Sequence, residues 1–175
     1  MKKLIVIISL LAIAFQGFAQ NRGYEGSVYV SGVASFNNNF GAGMEFTTSH
    51  GVGTRGGAFF GGGVGAILGS ALSDEDCYLT AFLQMKQTFF NQRDVIKPFC
   101  GISAGVLVNS YLQVAPAVSP EIGFSFGNCS LFTKATIGDL IMDYNTIEGG
   151  DVVFDKKPIR ILSVGLSYSF GKVRK

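Results

Sequence analysis

From Tyr24 onward the chain alternates. Tyr24, Gly26, Val28, Val30, Gly32 and Ala34 form an apolar or small set, interleaved with Glu25, Ser27, Tyr29, Ser31, Val33 and Ser35. A period of two puts successive side chains on opposite faces of a strand, whereas a helical face repeats near 3.6. Asn37-Asn38-Asn39 is a turn signal. Beyond it Phe40, Ala42, Met44, Phe46 and Thr48 alternate with Gly41, Gly43, Glu45, Thr47 and Ser49, and His50-Gly51-Val52-Gly53-Thr54 reads as the next turn. The pattern then repeats: a glycine-laden strand over Arg55–Leu68, an acidic loop over Ser70–Asp76, and a strand over Cys77–Phe90. After polar Asn91–Lys97 come strands over Pro98–Val108 and Gln113–Phe126, a tight turn at Gly127-Asn128, and a strand over Cys129–Ile137. A long polar stretch, Gly138–Pro158, precedes the last strand, Ile159–Phe170.

The pattern predicts eight strands of about ten residues, the length that crosses a bilayer when tilted. An even count of antiparallel strands with one apolar and one polar face is the pattern of a transmembrane barrel. The expected fold is all-β: an eight-stranded antiparallel up-and-down transmembrane β-barrel. Composition sharpens this. Charged residues are 15% of the 175, against about 25% in a soluble domain. The polar face reads as small and wet, built of Gly, Ser and Thr with a few charges. A soluble sandwich would turn that face to water with more Lys and Glu. Two charge-free stretches, Gly56–Ser73 and Phe99–Pro120, are long enough to suggest membrane helices. Their glycines and prolines and their period of two argue for strands instead.

The first residues are a separate unit. Met1-Lys2-Lys3 is a positive start, Leu4–Phe15 is apolar apart from Ser9, and Gly17-Phe18-Ala19 is a small-x-small site. This is the layout of a secretory signal peptide cut after Ala19. Its twelve apolar-core residues reach about 18 Å as a helix, short of the roughly 30 Å of a bilayer. The expected organisation is a signal peptide over 1–19 and a barrel domain over 20–175. Removing Lys2 and Lys3 leaves 12 basic residues against 12 acidic ones, so the chain has no basic excess with which to bind nucleic acid.

Four charges stand out. Glu45, Lys86, Glu121 and Lys134 all lie on the polar face, about four or five residues in from the same end of their strands. Side chains fill the interior of an eight-stranded barrel, and isolated buried ions cost several kcal/mol each. The expectation is that two acids and two bases pair across the lumen and plug it. The competing reading is a narrow polar channel through the interior Gly and Ser. Other signals carry little chemistry. His50, the only histidine, has no Ser or Asp motif beside it. Gly61-Gly62-Gly63-Val64-Gly65 lacks the Lys-Ser/Thr ending of a phosphate loop. Cys77, Cys100 and Cys129 match no zinc spacing; one disulfide or three free thiols both fit. The expectation is no catalytic set, no cofactor and no metal site, hence no enzyme.

The last strand reads Ser163-Val164-Gly165-Leu166-Ser167-Tyr168-Ser169-Phe170. It resembles the barrel-assembly signal of outer-membrane proteins: polar Ser163, Gly165 two later, then aromatic Tyr168 and Phe170 at alternate positions. That family commonly ends at the aromatic, whereas Gly171–Lys175 follows here. Together with Thr47-Thr48-Ser49-His50-Gly51, the glycine-rich third strand and Pro98-Phe99, the mature chain resembles small outer-membrane β-barrels of the OmpA/OmpX-like eight-stranded type. The resemblance implies a Gram-negative outer membrane, with surrounding lipid and lipopolysaccharide and recognition by the barrel-assembly machinery. It also implies both termini on the periplasmic side. The outward loops would then be Asn37–Asn39, Ser70–Asp76, Asn109–Leu112 and Gly138–Pro158. Acidic residues crowd two of these, Asp74, Glu75 and Asp76 in one and Asp139, Asp143, Glu148, Asp151 and Asp155 in another. The expected role is structural or surface interaction with an unidentified extracellular partner. The alternatives are a small channel or carrier for small or hydrophobic solutes, and a periplasmic lipid-binding barrel.

Overall fold

The computed structural model describes residues 22–36, 41–54, 56–69, 77–89, 95–109, 112–143 and 154–171. They form eight strands: β1 (Arg22–Ser35), β2 (Gly41–Thr54), β3 (Ala58–Leu68), β4 (Cys77–Thr88), β5 (Ile96–Asn109), β6 (Val114–Phe126), β7 (Cys129–Asp143) and β8 (Phe154–Phe170). Each strand pairs antiparallel with its neighbours in the chain, and β1 pairs with β8 to close the ring. The architecture is the expected eight-stranded antiparallel up-and-down barrel. Neither charge-free stretch is helical among the described residues: Gly56–Ser73 contributes β3, and Phe99–Pro120 contributes parts of β5 and β6. Among the described residues no helix is long and apolar enough to cross a membrane.

The strands are longer than the alternation suggested. His50–Thr54 is not a turn but the end of β2, in register with β1 from Gly26↔His50 to Arg22↔Thr54. The turn itself falls just beyond, where Gly57 takes φ 82° and donates its N–H to the Thr54 carbonyl at 3.1 Å. Polarity misleads most over Gly138–Pro158: β7 runs on to Asp143 and β8 begins at Phe154, paired from Asp143↔Phe154 downward. Backbone hydrogen bonds form a ladder whatever the side chains are, so a polar stretch can extend a hairpin. At Gly127 the expected tight turn is present, with φ 63°.

Stagger sets the dimensions. Followed through the register, the row of Glu121 runs one way through Gly101, Lys86, Phe59 and Gly53 to Gly23. The other way it runs through Lys134 and Ser163 to Val33. The row returns to β1 ten residues displaced, between Gly23 and Val33. The strands are therefore tilted, and the enclosed space is one that side chains fill.

Period-two alternation now has a direction. Val28, Val30, Phe46, Leu83, Ile102, Ile122, Val164 and Leu166 face outward and are exposed, while Ser27, Ser31, Glu45, Gln84, Glu121 and Ser163 face inward and are buried. The inward face is not simply small and wet. Tyr29, Phe59, Phe99 and Phe132 are buried inside the half nearer the termini, with Tyr29, Phe99 and Phe132 in one cluster. At the far end Val33, Ile67, Tyr78, Leu107, Ala115, Ile159 and Ile161 form an apolar cluster. Glycine makes room for these rings. A Cβ on Gly123 would lie 2.7 Å from Phe99 Cζ, and one on Gly63 2.6 Å from Phe82 Cζ. The missing Cβ atoms of these glycines leave the space that the neighbouring rings occupy.

Candidate functional site in the lumen

The register carries Lys86, Glu121 and Lys134 in one row, with Gly101 between Lys86 and Glu121. Glu45 projects from β2 on the opposite wall and meets Lys134 as an ion pair at 2.5 Å. Its second oxygen accepts hydrogen bonds from Ser31 Oγ and Ser163 Oγ, each at 3.1 Å. Three donors thus surround a carboxylate that is only 3% exposed. That satisfaction of the remaining lone pairs is what a buried ion pair requires.

Glu121 is partnered differently. Its Oε1 accepts a hydrogen bond from Gln84 Nε2 at 3.0 Å, and Gln84 Oε1 in turn accepts one from the Tyr29 hydroxyl at 3.3 Å. The carboxylate reaches β4 by passing over Gly101, where an added Cβ would lie 2.8 Å from Glu121 Oε1. Lys86 is held by aromatic faces: its Nζ lies 5.1 Å from the ring centroid of Phe99, 5.7 Å from that of Phe59 and 6.0 Å from that of Tyr29. Cations are attracted to such faces most strongly when desolvated. The phenol of Tyr29 and the carboxylate of Glu121 act on Lys86 as well.

The four charges named from the sequence are therefore all in the lumen, but they do not form two equivalent pairs. Glu45 and Lys134 are brought into direct contact, whereas Glu121 and Lys86 act at longer range, one on an amide and the other among rings. Sequence reasoning missed Gln84, Ser31 and the ring set of Tyr29, Phe59 and Phe99. Their signal was inward parity: Gln84 stands two positions before Lys86 on one face.

Ser163 of the last-strand motif points inward and serves Glu45, and Gly165 lies against β1, where a Cβ would clash with Ser31. Tyr168 is exposed on the outer face. The Phe170 ring packs at the end carrying the termini, 6.3 Å from the Tyr24 ring and 6.1 Å from His50. His50 is hydrogen-bonded through Nδ1 to the Tyr24 hydroxyl at 2.6 Å and through Nε2 to Thr48 Oγ1 at 3.0 Å. It is a joint between strands at the barrel rim. Gly61, Gly62, Gly63 and Gly65 lie within β3. All three cysteines are free, Cys77 half-buried and Cys100 and Cys129 exposed. Among the described residues no cluster of three or more His, Cys, Asp or Glu side chains is placed to hold a metal. Ala19 and the signal segment, the Asn37–Asn39 and Ser70–Asp76 loops, residues 144–153 of the last loop, and Lys172–Lys175 lie outside the described residues.

The fold is similar to that of Neisserial surface protein A in its crystal structure, with a TM-score of 0.63 and 12% sequence identity, over 85% of this chain and 96% of that one. No protein-family model matches the chain, and no curated protein matches it. The resemblance drawn from the last strand and the alternation thus holds at the level of the fold.

Proposed function

We propose that this chain is an integral outer-membrane barrel whose lumen is closed by its own side chains, and that its role is structural or one of surface interaction rather than catalysis. The observation that carries this reading is where the charges lie. Along the described outward positions of the strands, from Tyr24 and Phe170 up to Val108, Val114 and Leu162, no Asp, Glu, Lys or Arg occurs. Asp139 and Arg160, 4.0 Å apart, stand at the far rim. Inside, by contrast, lie Glu45, Lys86, Glu121 and Lys134. An apolar wall around a charged interior suits lipid outside and is the reverse of what a soluble lipid-binding barrel needs. The likeness to a surface protein of the same fold supports the location. In this reading lipid and lipopolysaccharide surround the belt, the barrel-assembly machinery reads β8, and the acidic loops face an extracellular partner.

The test has three parts. The refolded mature protein in a planar bilayer is expected to give a heat-modifiable gel band and no single-channel conductance. Stable conductance would replace the closed lumen with a channel or carrier. A protein soluble without detergent would remove the membrane assignment. Leu83, 74% exposed on the middle of β4, supplies the point test. Leu83→Arg is expected to cost about 2–4 kcal/mol of folding stability in lipid, and an unchanged stability there would contradict a lipid-facing wall.

A further inference from the structure

Lys86 and Lys134 are both inward lysines, but they are held differently. Lys134 has a carboxylate in ion-pair contact, and among the described residues Lys86 has none. The Lys86 ammonium lies instead 5.1 to 6.0 Å from the centroids of three rings. These rings come from three strands, Tyr29 from β1, Phe59 from β3 and Phe99 from β5, and all three are buried. The cage is thus built by the wall and not by Lys86. Two carboxylates complete it. In the row Gly53, Phe59, Lys86, Gly101, Glu121, each glycine is covered by a carboxylate from the next strand. A Cβ on Gly101 would lie 2.8 Å from Glu121 Oε1, and one on Gly53 2.5 Å from Glu25 Oε2. Lys86 stands between the two, and both act on it electrostatically. Glu121 is buried, whereas Glu25, near the start of β1, is half-buried and marks the side toward the mouth.

We propose that this cage is a binding site for a primary alkylammonium ion, which the barrel fills with its own Lys86 as a tethered occupant. Aromatic faces attract a desolvated ammonium strongly, and flanking carboxylates add the charge that selects a cation over a neutral chain of the same shape. Glu25 meets an incoming cation first, the rings receive its ammonium, and Glu121 supplies the deeper charge. The Glu45–Lys134 pair offers no such site, because its carboxylate is already bonded directly to an ammonium and two hydroxyls. This inference rests on the lumen lining and not on the membrane reading.

Lys86→Ala removes the atoms of an n-propylammonium ion and leaves the cage in place. In the folded variant, n-propylammonium chloride is expected to raise the urea unfolding midpoint by roughly 0.5 M. The neutral analogue n-propanol is expected to leave it unchanged. The wild-type midpoint is expected to move with neither, because a tethered occupant outcompetes a free one. No shift in the variant, an equal shift with n-propanol, or an equal shift in the wild type would overturn the proposal. If Lys86→Ala does not fold alone, refolding becomes the readout. A heat-modifiable folded band recovered with n-propylammonium and not with n-propanol supports the site, and recovery with both or with neither refutes it.

Discussion

Glu45 and Glu121 are inward carboxylates of nearly equal burial, 3% and 4% exposed, yet the barrel accommodates them in different ways. Glu45 holds an ammonium and two hydroxyls directly. Glu121 holds an amide, and the cation that acts on it is kept among three rings. Reach explains the difference. Lys134 extends across the lumen to β2, whereas Lys86 is separated from Glu121 by Gly101 on the strand between them and is flanked by Phe59 and Phe99. A charge inside a narrow barrel can be stabilised by contact or by its surroundings, and the side chains within its reach determine which.

This contrast can be broken most forcefully at the ion pair. Glu45→Gln leaves Lys134 without its carboxylate and is expected to cost about 3–5 kcal/mol, whereas Glu121→Gln keeps a partner for Gln84 and is expected to cost about 2 kcal/mol. Urea titrations read by the folded and unfolded gel bands would measure both, and equal losses would erase the distinction. Next in size is Gly101→Ala. Its Cβ would intrude on Glu121 Oε1 and lie 3.0 Å from the Met85 carbonyl, for an expected loss of about 2 kcal/mol from displacing Glu121 and overpacking the wall. If stability is unaltered, Glu121 does not need the path over Gly101. The smallest effect belongs to Ser163→Ala, which removes one of two hydroxyl donors to Glu45 and should cost about 1 kcal/mol. This variant also separates two roles of one residue. A lowered midpoint with normal membrane insertion in cells marks Ser163 as a lumen donor, while poor insertion with an unaltered midpoint marks it as part of the assembly motif.

Much of the fold was legible because a barrel wall sorts its residues by parity. Tyr24 to Ser35 already announces which side chains face out, and the eight alternating runs supply the strand number. What parity cannot convey is length and partner. His50–Thr54 and Gly138–Asp143 look like turn and loop by composition, but hairpin ladders depend on backbone groups and extend through Gly and Asp. Likewise the inward position of Lys86 was readable, while its aromatic surroundings were not. Those rings come from β1, β3 and β5 and converge only through the stagger of the closed sheet. The interior glycines were misread as wet space because a glycine opposite a solvent channel and one beneath a phenylalanine look identical in a string of letters.

The joint between β1 and β8 also bears on how the molecule forms. Seven ladders link strands adjacent in the chain, and the eighth alone links its two ends. Ser31 and Glu45, bonded across one hairpin, are 14 residues apart, whereas Ser27 and Ser169, bonded across the closure, are 142 apart. A tenfold longer loop costs roughly 2 kcal/mol more to close, and contacts of such long range slow folding. Until that ladder forms, a seven-ladder sheet still carries two open edges of unpaired N–H and C=O groups, which hydrocarbon does not tolerate. The rim cluster of Tyr24, His50 and Phe170 therefore sits where the kinetic barrier is expected to be highest, fastening the ring at the step that turns an open sheet into a barrel.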